Sequence, residues 1–351
     1  MSPGQISDKV RSLRKEHSER SGVSLAYLIS EEFSSEMREL SGLDNPTFHD
    51  LKQHLFFGEK ARGRDTICPR DGLPGCALVD TLPPRHQQQC THFLSWTWSY
   101  SLDTIVGGLK NWASMSHSTD EPRNVFLFMC FFCNNQYRLL VDGKAGSDDL
   151  ERVFESRLRG IGRVVALLDS WRDSQYLTRI WTIFEQYSAA KLNIPVQMVL
   201  PPAAAKSLLD EFESGKEGIL RVKRSFSEVH SENAVASLVE DEIKVKGLIR
   251  QSIGFDSVDS KVRERLQEWV GKEVRAYMDA LVDADNEEAL VRHCATHEGT
   301  MIFTIPDEHT VWGRTRSKLT GIVTTMECPP ERVPAPEQLQ VESDAQCSLT
   351  L

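Results

Sequence analysis

The stretch RVVALLDSWRDSQYLTRIWTIFEQYSAAKLNIPVQMVL, Arg163 to Leu200, decides the fold. It opens on RVVALL (163–168), an almost unbroken apolar run. A strand reads this way when both of its faces are buried, as in a parallel sheet covered by helices. A polar loop follows, and then YLTRIWTIFEQYSAAKLN repeats its apolar residues at helical spacing. PVQMVL (195–200) closes the stretch as a second apolar strand. Parallel neighbours need a crossover of a dozen or more residues, and the helix supplies it, so this is a βαβ unit.

The same alternation extends upstream. THFLSW (91–96) reads as a strand and SLDTIVGGLKNWASM as a helix. NVFLFMCFF (124–132) is a continuously apolar strand, and SDDLERVFESRLRGI an amphipathic helix with Ser147 as its cap. Strands and helices in alternation predict an α/β domain over 91–202, built on a flavodoxin-like parallel sheet. Helical additions flank it. Residues 1–58 read as helices, among them NPTFHDLKQHLFF with Asn45 as cap and Pro46 at the first helical position. Residues 59–90, rich in Gly, Pro and Arg, read as an ordered connecting loop. Residues 203–326 form a C-terminal helical region, and 327–351 an acidic, Pro-rich tail expected to be flexible.

Bulk properties narrow the function. The chain has 351 residues, 40% of them hydrophobic and 26% charged, which is the balance of a soluble globular protein. A net charge of −10 argues against general nucleic-acid binding, which needs clustered Lys and Arg. The N-terminus lacks the apolar core of a secretory signal, and the longest apolar run, Val125 to Phe132, is too short to span a bilayer. A cytoplasmic protein with no membrane span is the expectation. The eight cysteines are then expected to be reduced. Cys130 and Cys133 sit three apart at the end of a strand-like run, where they would face opposite ways. Cys68, Cys76, Cys90 and His92 are irregularly spaced, so no metal site is assigned.

In an open parallel sheet, ligands bind beyond the carboxyl ends of the strands, where strand order reverses. The loops expected there are SWTWSYS (95–101), CNNQYR (133–138) and DSWRDSQY (169–176). They carry Trp98, Tyr100, Trp171, Asn135, Gln136, Arg138 and Arg172. Aromatics grouped with amides and arginines suit a flat heterocycle joined to phosphates. Taken singly, each aromatic reads more readily as loop-base packing than as a ligand contact. The helix beside them places Trp181 and Glu185 four apart, on one face. Were that helix to begin at Tyr176, Glu185 would lie about 13 Å along it, deep for a residue serving the strand ends. A start near Thr178 would put Trp181 in the first turn.

Over roughly residues 88–202, these motifs resemble the TIR superfamily and the related heterokaryon-incompatibility (HET) domains. LSWTW, CFFCNNQ and RIWTIFE echo the successive HET motifs, and RIWTIFE followed by IPVQMVLP resembles the TIR helix and its next strand. Two departures stand out: the acidic residue of the second HET motif is replaced within FMCFF, and no Gly follows Trp98. The resemblance implies an NAD+ glycohydrolase with Glu185 as the catalytic carboxylate, NAD+ being substrate rather than cofactor. It implies roles for Trp98, Tyr100, Asn135, Gln136, Trp171 and Trp181 around the ligand, with Arg138 and Arg172 at the diphosphate. It also implies a homo-oligomer or a partner among signalling proteins. Its alternative is a non-catalytic interaction module, since many TIR domains serve only that end.

Overall fold

The computed structural model describes residues 3–57, 61–115, 121–141 and 150–296. Ser147 and the 327–351 tail lie outside the described residues. Residues 1–270 form one compact unit. In the second, 271–351, the described part is the end of a helix.

The first unit is mixed α/β, around one six-stranded, mostly parallel sheet. Its strands are β1 (Ser21–Ser24), β2 (Gln87–Gln89), β3 (His92–Ser95), β4 (Phe126–Phe128), β5 (Val164–Leu167) and β6 (Val196–Val199), in the spatial order β2-β1-β4-β3-β5-β6. β4, β3, β5 and β6 pair in parallel, while β1 pairs antiparallel with both β4 and β2. The four parallel strands are those anticipated from the apolar runs. From β3 the chain steps to β4 on one side, then returns past β3 to β5 on the other. Strand order therefore reverses between β3 and β5.

Twelve α-helices occur among the described residues. The first four are α1 (Pro3–Arg20), α2 (Leu25–Leu28), α3 (Glu31–Ser41) and α4 (Phe48–Lys52). Next come α5 (Leu102–Ser114), α6 (Cys130–Cys133), α7 (Leu150–Ile161) and α8 (Ile180–Lys191). The last are α9 (Pro202–Glu213), α10 (Gly215–Ser225), α11 (Val239–Gln251) and α12 (Phe255–Thr296). α5 covers one sheet face. Its Trp112 Nε1 donates to Gln197 Oε1 on β6 at 2.8 Å, and its Gly108 comes so close to Leu167 that an added Cβ would lie 2.3 Å from Cδ1. α7 and α8 cover the other face, where Phe154 meets Phe93 and Phe184 with ring centroids 5.6 and 5.7 Å apart. No helix among the described residues is long and apolar enough to cross a membrane.

Several local expectations are corrected. The N-terminal region, read as helical, also contributes β1, and the connecting loop contributes β2. Neither was legible, because SGVS and QQQ lack an apolar run. Gly22 suits β1 because a Cβ there would meet the Leu127 carbonyl and the Cys90 thiol at 2.9 Å each. The all-polar β2 is the sheet edge, where an apolar strand would invite unwanted pairing. The cap expected at Asn45 belongs instead to Thr47, which forms a capping box with Asp50. Asn45 Oδ1 accepts from the Asp103 backbone N–H at 2.9 Å and ties this segment to the start of α5. CFFC is not a strand end but α6. Its Phe131 packs against Phe48, Phe56 and Trp98 at 5.1, 5.2 and 4.9 Å, joining the N-terminal helices to the crest of the sheet.

Candidate functional site

The reversal point is marked by one side chain from each neighbouring segment. Ser95 ends β3, and its Oγ donates to Glu185 Oε2 on α8 at 2.5 Å. It also lies 2.5 Å from the Tyr176 hydroxyl, which in turn accepts from Gln186 Nε2 at 2.8 Å. With Glu185 ionised, every proton in this chain has an acceptor: Gln186 to Tyr176, Tyr176 to Ser95, Ser95 to the carboxylate.

The local chain explains how Glu185 reaches the strand end. α8 begins at Ile180 with Arg179 as its N-cap, later than either start considered from sequence. Residues Gln175–Thr178 form a separate 3-10 turn, capped by Ser174, that carries Tyr176 inward. Asp169 organises this turn, accepting from Ser174 Oγ at 2.6 Å and the Gln175 N–H at 3.3 Å. The late start brings Glu185 into the second turn of α8, beside Ser95.

Electrostatics set Glu185 apart. Burial of the carboxyl raises its pKa to about 8, against the lowering effect of the Ser95 hydrogen bond. The residue as a whole keeps some exposed surface, so the carboxyl is enclosed while part of the side chain meets solvent. Cys130 is close enough to feel its charge, and burial holds that thiol up at about 12. Burial therefore favours the neutral thiol at physiological pH. Trp98 Nε1 points at Cys130 Sγ, 3.4 Å away, and the indole edge meets His49 of α4 at 6.0 Å. Lys52 and Arg179 lie near enough to disfavour a charge on His49, although burial lowers its pKa more. A carboxylate, an indole wall and a cationic rim thus lie together at the ends of β3 and β4.

Not every residue anticipated from sequence lies here. Tyr100 lies beneath the site, fully buried, donating to the Leu167 carbonyl at 3.0 Å. Gln136 is also buried and donates to the Cys130 carbonyl at 2.9 Å. Asn135 and Arg138 turn toward the connecting loop: Asn135 Nδ2 donates to the Gly75 carbonyl at 3.0 Å, and Arg138 pairs with Asp71 at 2.7 Å. Trp171 and Arg172 face α9, through Ser207 at 3.2 Å and Glu211 at 3.0 Å, with the Arg172 guanidinium 4.6 Å over the Trp171 ring. Trp181 reaches Asp241 of α11. Ser95 and His49 had no distinguishing signal, since a serine ending an apolar strand is ordinary and His49 comes from a distant helix. Cys68, Cys76, Cys90, Cys130 and Cys133 are free thiols, and among the described residues no group of three or more His, Cys, Asp or Glu is arranged to hold a metal. No family model, no curated protein and no solved structure matches the chain.

Proposed function

We propose that the sheet is flavodoxin-like, of the TIR type, and that the crevice between β3 and β5 hydrolyses NAD+ at the nicotinamide–ribose bond with Glu185 as the catalytic carboxylate. The observation that carries this reading is the Ser95-to-Glu185 hydrogen bond at the point of strand reversal. Breaking the nicotinamide–ribose bond builds positive charge on the ribose, as in glycoside hydrolysis, and water then adds to that ribose carbon. Nicotinamide leaves neutral, so no general acid is needed. A fixed, poorly hydrated carboxylate stabilises the oxocarbenium-like state and orients the ribose hydroxyls. Trp98 provides an aromatic face for the heterocycle. A cytoplasmic location belongs to the same proposal.

Nicotinamide release by concentrated protein tests it. We expect release from wild type and a loss on the order of a hundredfold or more in Glu185→Gln and Glu185→Ala. Release unchanged in both variants would assign the chemistry to another group. No release at any protein concentration would leave the interaction module.

A specific observation favours that second reading. Arg138 and Arg172, the arginines expected at a diphosphate, are engaged by Asp71 and Glu211. Meanwhile Val239 and Ile243, one turn apart on α11, are 68% and 67% exposed. Such a stripe is an association surface, and it serves equally an enzyme that works as an oligomer.

A further inference from the structure

Arg138 and Arg172, the arginines expected at a diphosphate, are each held by a carboxylate. Positive charge nevertheless reaches the crevice from two other elements. His49 and Lys52 stand three apart on α4, on one face of a single turn. Arg179 is the residue from which α8 starts. Lys52 and Arg179 both act through space on the His49 ring, so the three side chains form one cluster.

The nearby carboxylates are committed elsewhere. The Lys52 side chain enters no ion pair or hydrogen bond among the described residues. Arg179 Nη2 donates to Ser237 Oγ at 2.6 Å, but the guanidinium forms no ion pair among those residues. Glu242, the carboxylate that acts on Arg179, is held by the Lys246 ammonium at 2.8 Å and the Ala236 N–H at 3.1 Å. Asp50, beside His49, closes the capping box, accepting from the Thr47 N–H at 2.9 Å and its hydroxyl at 2.7 Å. Like charges brought together disfavour one another, and an anion seated among them removes that cost.

Trp98 joins this cluster to the carboxylate. The His49 N–H donates to the Trp98 carbonyl at 3.2 Å, and the two rings lie 6.0 Å apart. The same indole places its Nε1 3.4 Å from Cys130 Sγ, the thiol that feels the Glu185 charge. Carboxylate, aromatic ring and cations therefore follow one another along the crevice. We propose that Lys52, Arg179 and the His49 ring hold the diphosphate of a dinucleotide, so that α4, from the N-terminal helical region, completes the site. This inference rests on the crevice being an NAD+ site, and it puts these three residues where Arg138 and Arg172 were expected. The Arg179 fork suits two phosphate oxygens, and Lys52 adds a compact charge.

Calorimetric titration of the full chain with ADP, adenosine and inorganic pyrophosphate tests the proposal. We expect ADP to bind at least about tenfold more tightly than either of the others, and to weaken as salt is raised. Lys52→Gln removes a charge with no partner among the described residues, so it retains the fold. It should weaken ADP by at least about tenfold, and Arg179→Gln should do the same. No binding of ADP overturns the proposal, as does adenosine binding equally well or ADP binding unchanged in Lys52→Gln. Pyrophosphate binding as tightly as ADP overturns the nucleotide. Nicotinamide release from NAD+, measured alongside, separates the two readings. Lys52-dependent binding of ADP without any release leaves the diphosphate site standing and removes the hydrolase. Release that depends on Glu185, with ADP affinity and KM for NAD+ unchanged in Lys52→Gln, removes the diphosphate site alone.

Discussion

At the residue scale, Glu185 couples the proposed function to stability. Its folded-state pKa, about 8, lies above the ordinary 4.5, so over that interval the folded protein holds a proton the unfolded chain has released. Its contribution to stability is full below about pH 4.5, declines as pH rises toward about 8, and is lost above it. Glu185→Gln keeps an oxygen for Ser95 but cannot ionise. Its melting temperature should therefore exceed wild type at about pH 9 and lose that advantage near pH 5. Equal differences at both values would show that the carboxyl is not held protonated. The proposed catalysis requires the ionised form, so on that reading kcat/KM for NAD+ should rise tenfold per pH unit below about 8 and level off above it. Ser95→Ala removes the hydrogen bond that opposes the upward shift, and its profile should move to higher pH. A structural effect alone would lower kcat/KM without moving that midpoint.

At the element scale, the site depends on where α5 and α8 seat against the sheet. α5 approaches β5 through Gly108, where a methyl group would enter the space of Leu167, itself fully buried. Gly108→Ala should cost about 1–3 kcal/mol, because close-packed interiors accommodate an extra methyl only by shifting neighbours. Urea unfolding would read it, and an unchanged midpoint would mean that α5 moves freely. Leu167 also holds Tyr100 through its carbonyl, so the same variant should loosen the loop after β3. The connecting loop is held differently. Arg138 lowers the Asp71 pKa to about 2, so this pair contributes stability above the ordinary 3.8 and loses it as pH falls through about 2. The Asp71 side chain is 35% exposed, and solvent screening limits the pair to about 1 kcal/mol. Arg138→Ala also removes the Nη2 bond to the Pro74 carbonyl at 3.0 Å, so it should cost about 1–3 kcal/mol, as thermal unfolding near neutral pH would show.

At the scale of the whole molecule, the flanking residues 1–90 and 203–270 are parts of one body with the sheet rather than appendages. Residues 1–270 are one compact unit, in which α4 brings His49 beside Trp98 and the segment before α11 bonds the start of α8 through Ile180 N–H and the Val235 carbonyl at 3.1 Å. The exposed Val239 and Ile243 predict self-association. Light scattering should give a mass that rises with concentration and falls to that of one chain in the Val239→Glu, Ile243→Glu double variant. A wild-type monomer at every concentration would remove that surface from consideration. The local sequence was enough to place β3, β4, β5 and β6 and the helices between them, because burial on both faces demands unbroken apolar runs and crossovers demand helical periodicity. It also set Trp181 and Glu185 on one helix face, without saying what that face meets. It did not reveal β1 and β2, whose pairing comes from backbone groups that any residue carries and whose side chains show no period. Nor did it divide the aromatics and arginines between site and scaffold: Trp98 and Arg172 look alike as loop residues, and only distant partners, Cys130 and His49 for one, Glu211 for the other, decide their surroundings. Periodicity is a property of neighbours along the chain, whereas a site is made of neighbours in space, and for Ser95, Tyr176 and Glu185 the tertiary structure alone made that choice.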